Sequence, residues 1–201
     1  MKPLFNNEFK EFNKSIFKYL IFTTIVFFST LIITRIFFEM NPQHIDTLLD
    51  SYSSVSSSFD EDYKWIFLII FFINTIVCLL SVFGGLIPFI FFPAISCIRN
   101  AYFIGLLLAA LKVEQGNVLL ISIITLVPHG IFEVPALLYA FSIGTYLCTS
   151  NTRSILGGPK ANWHILQIKK AFIYLIVPLL FVASLIESLL VPHLMNIFIY
   201  K

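Results

Sequence analysis

The sequence predicts an all-α integral membrane protein with about five transmembrane helices, some of them broken or re-entrant. Of its 201 residues, 58% are hydrophobic and only 12% are charged, and the mean hydropathy is +0.91. A soluble domain of this length could not bury so much apolar surface, so we expect lipid to solvate much of it. The apolar residues also form runs of about 20, which is the length of helix that crosses a bilayer. We therefore expect a single transmembrane domain over residues 20–201.

Residues 1–19 form a separate N-terminal segment in this prediction. Phe5, Phe9, Phe12 and Ile16 recur at helical spacing between lysines. This pattern predicts a short amphipathic helix that lies on the cytoplasmic surface of the membrane. An N-terminal arm with scattered phenylalanines is the alternative.

Five apolar segments are expected to cross the membrane. The first is too long for the core of a signal peptide, so we expect it to remain as an anchor. The third, which contains Gly84, Gly85, Pro88 and Pro93, is either one kinked crossing or a re-entrant hairpin followed by a short helix. The five segments are residues 20–38, 65–83, 84–111, 118–148 and 171–190.

The placement of charge predicts the orientation of these spans. Residues 1–19 carry four lysines, and residues 149–170 carry four basic residues and no acid. The loop of residues 39–64 carries six acids and one lysine. Since basic segments are retained in the cytoplasm, we expect the N-terminus inside and the C-terminus outside.

The fourth segment contains the candidate site, in the stretch VPHGIFEVPA at residues 127–136. Pro128 and Pro135 each remove a backbone N–H, so we expect this helix to be broken near its middle. His129 and Glu133, four residues apart, share one face if the helix resumes after Gly130. An ionisable pair at a helix break inside a membrane indicates a functional site.

Charges within apolar segments should pair, because each isolated charge costs roughly 2.5–3.5 kcal/mol at the bilayer centre. Depth along the helices, at about 1.5 Å per residue, predicts that Arg35 meets Glu187 in the outer half of the membrane. It also makes Arg99 the candidate counter-ion of Glu133. Movement of Glu187 into the group around Glu133 is the competing arrangement.

His129 and Glu133 allow three chemical interpretations. A metal site needs at least three ligands, and only His193 and Glu187 remain as distant candidates. A general acid/base dyad for intramembrane hydrolysis lacks a nucleophile at a matching spacing. The favoured interpretation is a polar contact that stabilises the helix break, with proton- or ion-coupled transport as a variant of it. We accordingly expect no catalytic residue, metal or cofactor.

The stretch PHGIFEVPALLYAFSIG at residues 128–144 resembles the signature of the stage II sporulation protein M family of bacterial membrane proteins. Three other pieces resemble this family as well: Asn74, the Gly84 and Gly85 pair followed by Arg99, Asn100 and Gly105, and LIESLLVP at residues 185–192. The resemblance covers residues 65–193. Its signature positions here are Asn74, Arg99, Asn100, Pro128, His129, Gly130, Glu133 and Pro135.

The resemblance implies a multi-span protein of the bacterial cytoplasmic membrane without an established enzymatic site. The family's namesake acts in a complex that directs peptidoglycan-degrading enzymes during spore engulfment. Other members accompany ABC transporters in bacteriocin production, export or immunity. The namesake branch is less faithful to the His and Glu of the motif, so this chain resembles the broader membership.

We therefore expect a non-catalytic membrane subunit. Its partners would be an ABC transporter ATPase or permease, or a peptidoglycan hydrolase, and not a nucleic acid; self-association is a further option. The contrasting hypothesis is an intramembrane hydrolase or ion-coupled transporter that uses His129 and Glu133.

Overall fold

The computed structural model describes residues 7–45, 66–114, 124 and 126–198, and throughout these residues the regular structure is helical. Five helices are long and apolar enough to cross a membrane. The prediction of an all-α protein with five spans is therefore confirmed. Most of the acidic loop and most of residues 112–126 lie outside the described residues. The helices are α1 (Asn7–Met40), α2 (Ile66–Gly84), α3 (Phe92–Glu114), α4 (Val127–Ile155) and α5 (residues 165–198).

The fourth helix lies at the centre of the bundle. In its most apolar 18-residue stretch, 67% of the residues are buried inside the protein, against 33% or less in each of the other four helices. It packs against α1, α2, α3 and α5. The remaining helices expose many large apolar side chains on their outer faces, as expected for surfaces that contact lipid.

Small residues let α2, α3 and α4 approach closely. A methyl group added at Gly144 of α4 would overlap the backbone carbonyl of Ser81 in α2, and it would also meet the Pro93 ring of α3 at 2.6 Å. Such close contact of small residues is a main source of helix association in membranes, where the hydrophobic effect between helices is absent. The contact of Gly144 with Pro93 therefore sets the position of α3 along the axis of α4.

Helix α1 runs unbroken from Asn7 to Met40, so residues 7–19 continue directly into the first span and are not a separate helix, while residues 1–6, with Phe5, lie outside the described residues. The helical spacing of the phenylalanines is real, but Phe9, Phe12 and Ile16 are buried in the protein. The Phe12 ring lies 5.6 Å from the ring of His164 and 6.4 Å from that of Tyr146. The first turns of α1 thus pack beside residues 162–167, at the end of the bundle that carries the basic residues of the α4–α5 connection.

The segment 84–111 matches neither form expected for it. Helix α2 ends at Gly84, residues 85–91 form an irregular loop, and α3 then crosses as one helix from Phe92. The loop is held against the end of α4. The Asn151 amide donates to the Leu86 carbonyl at 3.1 Å, and the Thr152 hydroxyl accepts from the backbone N–H of Phe89 at 3.0 Å.

In the fourth segment, Leu126 is a turn residue, and α4 begins just before Pro128 and then runs without interruption from Val127 to Ile155, so the helix does not resume after Gly130. Pro128 lies in its first turn, where the N–H that proline lacks would have no helical partner. Pro135 lies inside the helix and does not interrupt it. Pro135 leaves the backbone carbonyl of Ile131 without its helical donor, and Ile131 is 61% exposed at the helix surface. Neighbouring groups and small adjustments of a membrane helix tolerate such a proline.

The last span is longer than residues 171–190 and contains two π-helical turns, Phe172–Ile176 and Ile186–Leu190. Each turn ends two residues before a proline, Pro178 or Pro192. Proline cannot donate to the carbonyl four residues earlier, and a wider π turn accommodates that missing bond.

Candidate polar site between α4 and α5

The second π turn lies where Glu187 faces α4. Ile176, Leu180 and Ala183 form the buried face of α5, and Glu187 continues that face at spacings of four, three and four residues. The potential ligand atoms of His129, Glu133 and Glu187 all lie within 4.8 Å of one another. Two helices therefore bring one imidazole and two carboxyl groups to a single point.

Helix α2 supplies the fourth polar group. The Asn74 side chain lies beside the Glu133 carboxyl. Asn74, His129, Glu133 and Glu187 line a cavity of about 520 Å³ whose other lining residues are apolar or glycine. His129 Nδ1 is buried and has no hydrogen-bond partner among the described residues. We call these four side chains the polar cluster.

The predicted outer pair of Arg35 and Glu187 is wrong. Arg35 Nε instead bonds to Oε1 of Glu39 at 2.7 Å, one turn along the same helix. Glu187 joins His129 and Glu133, which was the competing arrangement. Depth alone could not decide this, because it says nothing about which side of each helix a charge occupies.

Arg99 is not the counter-ion of Glu133. Its side chain is exposed, and within the described part of the chain it forms no salt bridge. Ile104 and Leu107 are the α3 residues that line the cavity, and Arg99 lies five and eight residues before them, about 140° and about 80° around the helix axis. Asn100 also lies apart from the polar cluster, since its amide donates to the Ser96 carbonyl one turn earlier at 2.8 Å.

The remaining signature positions shape the start of α4. Gly130 lines the cavity, and a methyl group there would meet nothing within 4 Å. Pro128 and Pro135 lie in the same helix, one residue before His129 and two residues after Glu133. Of the signature positions, the structure thus brings Asn74, His129, Gly130 and Glu133 together at one cavity, and it adds Glu187.

The side chains limit the chemistry of this cavity. Among the described residues that line it, none is Ser, Thr or Cys, so a hydroxyl or thiol nucleophile is not at hand there. The three titratable groups can instead exchange protons or hold a cation, since imidazole and carboxylate are both metal ligands. His193 is outside the group of three.

The model of the stage II sporulation protein M family matches residues 19–192. The chain belongs to this family. The match extends from α1 to the second proline of α5, so it contains the whole polar cluster and Arg99. Neither a curated protein nor a solved structure matches the chain.

Proposed function

We propose that this protein is a non-catalytic membrane subunit that assembles with a partner membrane protein through the surface of α3 that carries Arg99. The observation that carries the proposal is an exposed guanidinium at mid-membrane depth. We call the exposed face formed by Ile95, Arg99 and Phe103 the α3 face.

The depth of Arg99 follows from its neighbours. Pro93 lies level with Gly144 of α4, and Arg99 is six residues, or about 9 Å, further along α3. Gly144 lies 17 residues from Val127 and 11 from Ile155, so Arg99 is roughly 16 Å from one end of α4 and roughly 25 Å from the other. A helix position this far from both ends lies within the hydrocarbon of a bilayer about 30 Å thick.

A cation that faces lipid at that depth is costly, at about 2.5–3.5 kcal/mol even after the side chain reaches toward the interface. A partner helix that offers a carboxylate or free carbonyl groups removes that cost. The apolar neighbours Ile95 and Phe103 provide the packing surface on either side of the charge.

Membership in the family supports two kinds of partner. One is the permease or ATPase of an ABC transporter in bacteriocin export or immunity, and the other is a complex that acts on the cell wall during sporulation. The permease, or a membrane-spanning component of the wall-acting complex, would place a membrane helix against the α3 face.

The test is a gentle-detergent pull-down of the tagged protein from its own cells, followed by mass spectrometry. We expect a stoichiometric transporter component or wall hydrolase with the wild type, its loss with Arg99→Leu, and its retention with the matched control Ile95→Leu. Recovery of the wild-type protein without any stoichiometric partner would overturn the proposal.

An ion-coupled transporter or intramembrane hydrolase that uses His129 and Glu133 is the second candidate. The cavity that reaches His129 favours it. Under this hypothesis, His129→Ala should fold and reach the membrane normally while it abolishes function. In a subunit, the same substitution should reduce folding and function together.

A further inference from the structure

The polar cluster has the composition and spacing of a metal site. We propose that His129, Glu133 and Glu187 bind a divalent transition-metal ion that ties α5 to α4. The inference concerns a different surface from the α3 face and does not depend on the proposed function.

The geometry is close to that of a bound ion. The three ligand atoms lie within 4.8 Å of one another. Ligand atoms at about 2.0–2.2 Å from a zinc ion are themselves roughly 3.5 Å apart. Small side-chain rotations, each of about 1 Å, therefore bring all three groups onto a single ion.

The charges of the two carboxyl groups also favour a bound cation. Two carboxyl groups approach each other in a largely apolar cavity, and none of the described residues that line it is Lys or Arg. Close carboxylates repel strongly where water is scarce, so a positive charge between them is needed for both to be ionised. A divalent ion supplies that charge, and it is shared by both helices.

Two further observations support a ligand here. His129 Nδ1 is buried without a hydrogen-bond partner among the described residues, and an unsatisfied buried polar atom calls for an unseen water or ion. Glu187 lies in a π-helical turn, and such turns are frequent at functional sites. Asn74, which lies beside Glu133, would act as a positioning residue for that carboxylate.

The donor set selects the ion. One imidazole and two carboxylates suit Zn²⁺ or Mn²⁺, whereas Mg²⁺ and Ca²⁺ prefer oxygen ligands alone. The fourth position would be open to the cavity. The three buried cysteines are not members of the group, although Cys78, one turn after Asn74 on α2, lies near Glu133.

The first test is zinc binding to the full-length protein, purified in detergent, stripped with chelator and titrated with Zn²⁺ alone. We expect about one equivalent to bind, with affinity at least tenfold weaker in Glu187→Gln and in Asn74→Ala. The matched control Glu39→Gln, a glutamate on α1, should bind zinc as the wild type does. Equal affinity in the wild type and Glu187→Gln would overturn the proposal.

A second measurement needs no variant. X-ray absorption of the zinc-loaded wild type should show only nitrogen and oxygen neighbours, at about 2.0–2.2 Å. A sulfur neighbour at about 2.3 Å would place the ion on a cysteine and contradict the proposal. Absence of stoichiometric zinc from the loaded wild type would contradict it equally.

Discussion

Replacement of Arg99 by leucine should stabilise the isolated protein while it weakens assembly. Arg99 is exposed at mid-membrane depth, where arginine costs about 2.5–3.5 kcal/mol and leucine gains about 0.3–0.6 kcal/mol. The full difference is therefore about 3–4 kcal/mol. Part of this difference cancels from the free energy of unfolding, because the unfolded chain also keeps α3 in lipid. We expect a net gain of about 2 kcal/mol.

Thermal unfolding of the purified protein in lipid nanodiscs measures this gain. For a chain of about 200 residues, 2 kcal/mol corresponds to a rise in Tm of roughly 4–8 °C. The control Ile95→Leu, one turn earlier on the α3 face, should leave Tm unchanged within about 1–2 °C. A lower Tm in Arg99→Leu would refute the reasoning, because it would mean that Arg99 makes a stabilising contact within its own chain.

Three other substitutions test the packing. Gly144→Ala should cost about 1–3 kcal/mol of unfolding free energy, because its methyl group would overlap the backbone of α2. The control Gly130→Ala has open space around it and should be neutral or stabilising by up to about 1 kcal/mol. Equal Tm shifts in the two variants would contradict the contact between α2 and α4. Asn151→Ala should lower the free energy of unfolding by about 1–3 kcal/mol, since it removes the hydrogen-bond partner of the Leu86 carbonyl and of the Trp163 indole N–H. An unchanged Tm would contradict this role of Asn151. Exchange of the charges of Arg35 and Glu187 should not restore the membrane accumulation lost in either single reversal, and a rescue would mean that the two side chains do pair.

The number and position of the spans could be predicted from the sequence because lipid imposes a simple length rule. The second span illustrates this: an uninterrupted apolar run ends at a glycine pair, and residues 65–83 became Ile66–Gly84. The motif with His129 and Glu133 could also be singled out, since ionisable side chains inside a membrane are rare.

The partner of these two residues could not be chosen in the same way. Depth placed Arg99 near Glu133, but Arg99 is exposed and does not line the cavity that contains Glu133. The signal for Glu187 was present in the spacing of Ile176, Leu180 and Ala183, which marks one face of α5. It could be used only once it was known that this face packs against α4.

The effect of each proline also depended on its place in the bundle. A proline inside an apolar segment predicts a break when the helix is considered alone. In the bundle, the consequence differs with context: Pro128 begins a helix, Pro135 is accommodated, and Pro178 and Pro192 follow π turns. Neighbouring helices decide among these outcomes, and single-segment reasoning does not include them.

Site-specific photocrosslinking in the native cells tests the proposed assembly most directly. A photoreactive amino acid replaces Arg99 or Ile95 on the α3 face, or Ile76, which is exposed on α2. The account predicts one dominant adduct with a membrane protein from the Ile95 position, a weaker one from position 99 because the charge is lost, and none from position 76. Adducts of equal yield from all three positions, or none from the α3 face, would contradict it.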